Sequence, residues 1–348
     1  MKKSRPQKLQ ASLFPAFSRK EVQLLPESRQ YDILFLLAVN RIHFLRPHEK
    51  VLLVQAISGK EDLVSLLPLE LETIILRKVD WTQWLPLRFW EQAVRDFEYI
   101  ARYSIRFVSI FDAKYPPLLR ETYRPPLGIF VRGVLPDPDK PAVSVVGTRT
   151  PTALGMSCAF EISKSLSDSG LCVVSGLARG IDISAHRGAL RGQGRTLAVL
   201  PAGIDMIYPV SSKPLAAAIL DSGGALVTEN PPGTSIQKYR FPERNRIIAG
   251  LTRSCVVVEA PEHSGALITA EFAADEGRDI FVHKKCLGSV RNAGARKLAI
   301  EGAQSIETVQ DIYADWAGKF VLGECFRAWQ YGKAKAYASN DNYEEGCI

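Results

Sequence analysis

Six short apolar runs most constrain how this chain can fold. They read VSVVG (143–147), LCVVSG (171–176), TLAVL (196–200), ALVTE (225–229), CVVVEA (255–260) and DIFVH (279–283), and their starts lie 24 to 30 residues apart. None alternates apolar with polar residues, so each is expected to be buried on both faces. Helical patterns fill most of the intervals. Short apolar strands alternating with helices specify α/β: a doubly wound, mostly parallel sheet covered on both sides. This unit is placed at residues 142–315.

The texture before it is different. From Tyr31 to about Tyr103, stretches such as YDILFLLAVNRIHFL and LRFWEQAVRDFEYIARY space apolar residues three or four apart, which predicts a small helical domain over residues 29–105. Trp81, Trp84 and Trp90 are assigned to its core, because tryptophan is usually highly buried. Between the two lies FDAKYPPLLRETYRPPLGIFVRGVLPDPDKPA. Its prolines exclude helix, while GIFVRG fits a short edge strand, so residues 106–141 are a connector. Residues 1–28 look like a flexible basic arm. Residues 316–348 look like a short helix followed by a tail.

The formal charge of +7, from 44 Lys and Arg against 37 Asp and Glu, favours polyanionic partners if the charge is concentrated somewhere. The six cysteines show no CxxC pair and no metal-ligand spacing, so they read as buried free thiols in a reducing compartment. No stretch approaches the roughly 18 apolar residues of a membrane span, and the N-terminus lacks a signal-length apolar segment. A cytoplasmic protein without membrane association is expected.

Open parallel sheets bind ligands beyond the carboxyl ends of their strands. After the first strand comes GTRTPTALG, where Gly147 allows a tight turn and Arg149 precedes a helix start. After the second comes SGLARGIDISAH, with Gly176 and Gly180 flanking Arg179. Two glycine turns on adjacent strands, each with an arginine, point to phosphate held by helix N-termini. The fourth strand leads into TENPPGTSIQKYRFPERNR, the longest loop of the unit, with Lys238, Arg240, Arg244 and Arg246 around Tyr239 and Phe241. Asp182, His186, Glu229, Glu259 and Glu271 lie near the same edge. However, there is no GxSxG elbow and no Walker lysine, and an Asp–His pair four residues apart more often supports a helix face than acid–base chemistry.

In order and spacing, VVGTR, SGLARGIDISAHRGAL, TLAVLPAGIDMIYP, GALVTENPPGT, FPERNRIIAGL, VVVEAPEHSGALITAEFAADEGRDIFV and EGA resemble the DNA-processing protein DprA (Smf) family. The likeness is close over residues 110–305 and loose over 30–110. It implies a Rossmann-like domain after a small all-helical (SAM-like) domain. It also implies a non-enzymatic, cofactor-free protein of natural transformation that binds and protects single-stranded DNA, loads RecA recombinase, and forms homodimers through the Rossmann-like domain. The family's DNA-binding positions fall on Arg179, Lys238 and Phe241, with Gly147, Gly176 and Gly180 shaping the pocket floor. Arg149, Arg244 and Arg246 join them as candidate contacts, although Arg244 to Arg246 could instead pin the following helix by pairing with Glu229 or Glu259. Two places depart from the family pattern: HKKCLGS (283–289) replaces its Pro-Gly, and Arg296 stands where it has Asn. The family's winged-helix domain is not expected in this chain.

Two other readings remain. One is a nucleotide-binding enzyme of the nucleoside-monophosphate phosphoribohydrolase type, although EAPEHSGALITAE lacks that family's glycine pair. The other is a scaffold, which would leave the basic cluster at 238–253 without a purpose.

Overall fold

The computed structural model describes residues 32–138 and 140–318. The expected basic arm, and the tail beyond residue 318 with Cys325 and Cys347, lie outside the described residues.

The chain opens with helices α1 (Ile33–Arg41), α2 (Pro47–Ala56), α3 (Lys60–Ser65), α4 (Pro68–Ile75) and α5 (Pro86–Arg102). Local chemistry marks their starts. The Asp32 side chain accepts from Leu34 N at 2.9 Å, Glu49 accepts from Arg46 N at 2.7 Å, and proline occupies the first turn of α2, α4 and α5. Trp81, Trp84 and Trp90 are half-buried and pack against the core; Trp84 meets Phe89 edge-on at 6.3 Å.

Strand β1 (Arg106–Ser109), the single turn α6 (Pro117–Arg120) and strand β2 (Gly128–Gly133) follow. Two expectations change here. GIFVRG is β2, but it does not lie at the edge: β1 covers it, pairing antiparallel with Phe107 opposite Phe130. The proline-rich connector also contains one helical turn, α6, because Pro117 sits at its first position, where a missing N–H costs nothing.

The remaining elements are β3 (Ala142–Val146), α7 (Ala153–Asp168), β4 (Cys172–Ser175), α8 (Ile181–Ala189), β5 (Thr196–Val199), α9 (Lys213–Asp221), β6 (Ala225–Thr228), α10 (Arg240–Gly250), β7 (Ser254–Val257), α11 (Gly265–Asp275), β8 (Asp279–His283), α12 (Ala293–Ile300) and β9 (Gln304–Ile306). All six apolar runs form strands, and every residue of β3 to β7 is buried. The sheet has nine strands in the order β1-β2-β6-β5-β4-β3-β7-β8-β9. From β6 to β9 all pairs are parallel, whereas β2 joins β6 antiparallel. The fold is therefore the expected α/β class, a mostly parallel doubly wound sheet. After β6 the chain returns to place β7 beside β3, so the winding reverses between β3 and β7.

The chain is helical again from residue 309. Trp316 there is buried, and its Nε1 donates to Ser254 Oγ at 3.0 Å and to Asp279 Oδ2 at 3.1 Å. Among the described residues no helix is long and apolar enough to cross a membrane, and Cys158, Cys172, Cys255 and Cys286 are buried free thiols.

Candidate nucleic-acid interface

A cleft of about 390 Å³ opens where the winding reverses, the position at which doubly wound sheets take ligands. Its walls are the end of β3 with Gly147, Thr148 and Arg149, the α8 approach with Ala178 and Asp182, one side of α10 from Phe241 to Ile248, and the loop from Pro261 into α11. Close approach fixes the glycines. A Cβ on Gly147 would meet Ile181 Cγ1 at 2.5 Å and the Glu259 carbonyl at 2.8 Å, and one on Gly176 would overlap the Arg244 guanidinium. Gly180 has φ +84°, and the turns it joins are tied by Ile181 N donating to Thr148 O at 3.2 Å.

The rim carries the exposed cations. Arg149 is exposed and lies 5.1 Å from the centroid of the Phe241 ring, which is half-buried and meets Tyr208 edge-on at 5.8 Å. Arg179 is exposed between Ala178, which lines the cleft, and Gly180; Lys238 is exposed just before α10. Among the described residues these three cations have no ion-pair partner, which leaves their charge to the solvent side. Gly147, Arg149, Phe241 and Arg244 thus line one cleft; Arg179 follows the lining residue Ala178, Lys238 stands three residues before Phe241, and Gly176 and Gly180 pack against Arg244 and Thr148 rather than lining it.

Arg244 and Arg246 do different work. FPERNR belongs to the first turns of α10 rather than to a loop, since Pro242 falls in the N-terminal turn, where proline is tolerated. Arg244 is buried, with Nη1 donating to Val199 O at 3.0 Å, and burial brings its pKa down to about 10, so it stays charged. Arg246 is buried too. It pairs with Glu229 through Nη2, lies 3.3 Å from Glu243 through Nε, and donates from Nη1 to Arg124 O at 2.7 Å. Asn245 donates to Gly265 O at 3.1 Å. The pairing with Glu229 is one of the two anticipated; the pairing with Glu259 does not form.

Glu259 instead serves α7. Its fully buried carboxylate accepts from Thr152 N at 2.8 Å and from Ser289 Oγ at 2.6 Å. Asp182 likewise accepts from Gly176 N at 3.2 Å and Ala178 N at 3.4 Å, and burial raises its pKa against the opposing charge of Arg244. The sequence reading gave these helix starts to phosphate. In the structure the Glu259 carboxylate takes the Thr152 N–H at the start of α7, whereas Asp182, in the first turn of α8, accepts from amides of the loop before that helix, because buried N–H groups take whatever acceptor is fixed nearby.

His186 is completely buried. Its Nδ1 lies 2.7 Å from Thr196 Oγ1, and burial lowers its pKa to about 3. It cannot reach a substrate in the cleft. From the sequence, Ser264 and Gly265 are expected to begin a helix beside Glu259, but His263 and the cleft-lining role of the Pro261–Gly265 turn were missed. Only the Gly-containing start of a helix after the fifth strand hinted at them.

The family described as DNA recombination-mediator protein A matches residues 106–317. The protein Smf of Borreliella burgdorferi is 34% identical over 280 residues, covering 80% of this chain and 87% of that one. Among solved structures, DNA processing protein A of Streptococcus pneumoniae superposes with a TM-score of 0.66 at 31% identity, covering 82% of this chain and 98% of that chain. A structure concerned with the single-stranded DNA binding mode of DNA processing protein A from Helicobacter pylori shares the fold, with a TM-score of 0.54 at 24% identity over 63% of this chain and 98% of that chain. A family match over more than half of the residues, on a sheet of this order, establishes that the chain belongs to the DNA recombination-mediator protein A, or DprA (Smf), family.

Proposed function

We propose that this protein binds single-stranded DNA across the carboxyl edge of its sheet and serves as a recombination mediator during DNA uptake. The observation that carries this is Arg149, exposed and lying against the Phe241 ring that meets Tyr208 edge-on, with Arg179 and Lys238 exposed on the adjoining segments, all three without carboxylate partners among the described residues. Exposed cations neutralise phosphates without reading sequence, and an aromatic face accepts any unpaired base. The Helicobacter pylori relative, studied for its single-stranded DNA binding mode, supports the same reading. Gly147, Gly176 and Gly180 let the protein's own segments close up beneath the cleft, around Ile181, Arg244 and Thr148. Arg244 and Arg246 hold α10 beneath it.

The reading is one of binding, not catalysis. Asp182, Glu229 and Glu259 are each engaged by protein partners and His186 is sealed in the core, so no free acid–base pair faces the cleft from among them. On the family resemblance, the proposal extends to two partners, a RecA recombinase and a second copy of the chain docked through the Rossmann-like domain.

Anisotropy of a labelled strand of about thirty nucleotides, against its duplex and across a salt series, tests the proposal. Preference for the single strand is expected, with Arg179→Ala and Lys238→Ala each lowering affinity and flattening the log–log salt slope by about 0.7. Loss of the ring in Phe241→Ala is expected to cost about 1–3 kcal/mol of binding. Wild-type affinity in all three variants, or no binding at low salt, would sink the assignment.

A further inference from the structure

Cys158 on α7 is far in sequence from His283, the last residue of β8, and Cys286, in the turn after it, yet the fold brings all three together. One donor atom from each lies within 4.8 Å of the other two, and all three residues are buried. They form the only cluster of this kind among the described residues. The His283 Nδ1 is buried with no hydrogen-bond partner among those residues. A buried imidazole nitrogen without a partner is uncommon, and each such case calls for an explanation such as an ion. The turn that carries Cys286 is held in place: Asn292 Nδ2 donates to Cys286 O at 2.9 Å, and Asn292 Oδ1 accepts from Ala260 N at 2.7 Å.

We propose that Cys158, His283 and Cys286 form a binding site for a single zinc ion. Two thiolates and an imidazole are the donor set of Zn(II), whereas Mg²⁺ and Ca²⁺ require oxygen. Tetrahedral zinc with bonds of about 2.0–2.3 Å holds its donors roughly 3.5–3.8 Å apart. The present spacing of up to 4.8 Å would have to shorten by about 1 Å on binding. Glu259 lies close enough to act on Cys286 electrostatically, but Thr152 and Ser289 already engage its oxygens, so the fourth position falls to water.

The ion ties α7 to the segment after β8, where HKKCLGS departs from the family pattern. That segment holds Ser289, which donates to Glu259, and Arg291, whose Nη1 donates to Thr150 O at 3.1 Å. Zinc would thereby stiffen one rim of the cleft.

The test uses the full chain, stripped by chelator under reducing conditions and titrated with Zn(II) or Co(II) in the absence of DNA, so its outcome is separate from that of the DNA reading. One equivalent of Zn(II) is expected, with an intense thiolate-to-Co(II) charge-transfer band. Cys286→Ser and His283→Gln should weaken uptake by about 100-fold or more, and Zn(II) should raise the melting temperature of the wild type but not of the variants. A Co(II) spectrum without a thiolate band would overturn the site, as would unchanged uptake by Cys286→Ser. So would a Cys158–Cys286 disulfide, shown by mass spectrometry, in protein that takes up no metal. The wild-type Co(II) spectrum decides the matter even if a variant fails to fold.

Discussion

At the scale of single residues, the site depends on side chains that look like ligands but act as supports. Gly176 is the clearest case. It leaves room for the Arg244 guanidinium, so Gly176→Ala should cost about 1–3 kcal/mol in urea unfolding through overpacking; an unchanged midpoint would show that Arg244 moves freely. His186 makes a second residue-level prediction. Thr196 Oγ1 donates its proton to Val173 O at 2.8 Å, so it can only accept from His186 Nδ1, and the buried Nε2 has no partner among the described residues. Protonation would leave a sealed charge. Between about pH 3 and the ordinary histidine value the unfolded chain binds this proton and the folded one does not, so stability is lost as pH falls through that window. The wild type should therefore lose up to about 1.4 kcal/mol per pH unit relative to His186→Asn, while Asp182, with its raised pKa, opposes this in both proteins. Parallel stability curves for the two proteins would refute the assignment. The sequence shows Asp182 and His186 four residues apart but not that one faces a turn and the other the core. That depends on which flank of α8 meets α7 and which meets the cleft.

At the scale of elements, the strands were legible because burial on both faces leaves an unbroken apolar run. The glycine turns were legible because backbone approach admits no other residue there. Strand β1 was not, since RFVS is short and its first residue is exposed, and a four-residue run has too little periodicity to register. The start of α10 was hidden by Pro242, which reads as a helix breaker yet sits in the first turn. Its buried pair makes a prediction that separates support from contact. Arg246→Ala should destabilise the fold by about 3 kcal/mol, because Glu229 is left without its cation, yet change the DNA affinity of the folded protein little. A binding loss matching that of Arg179→Ala at undiminished stability would place Arg246 on the DNA instead. The convergence of Cys158 with His283 and Cys286 was invisible for a related reason: spacing rules detect ligands on one turn, whereas these donors meet only after α7 packs beside β8.

At the scale of the whole molecule, the helical unit and the sheet share one apolar core, and polar contacts bind the first to the loop that precedes α10. Asn40 Nδ2 donates to Glu229 O at 3.4 Å and Arg41 Nη2 to Pro232 O at 2.9 Å, while Arg41 is itself paired with Asp96. The helices thus brace the segment that presents Lys238. Arg41→Ala should speed hydrogen exchange at residues 229–238 and leave the β3–β4 region protected; unchanged exchange would show the brace to be idle. The carboxylates of Glu259 and Asp182 at the starts of α7 and α8 have a further consequence, for competition in the cell. A free nucleotide brings one compact phosphate cluster and needs a socket of open N–H groups to hold it, but here Glu259 takes the amide at the start of α7 and Asp182 takes those of the loop before α8. A polymer needs no socket, since it spreads its charge over scattered cations along a rim. Millimolar ATP should therefore leave a bound DNA strand in place at constant ionic strength, and displacement of the strand by ATP would show that a compact phosphate socket is open after all.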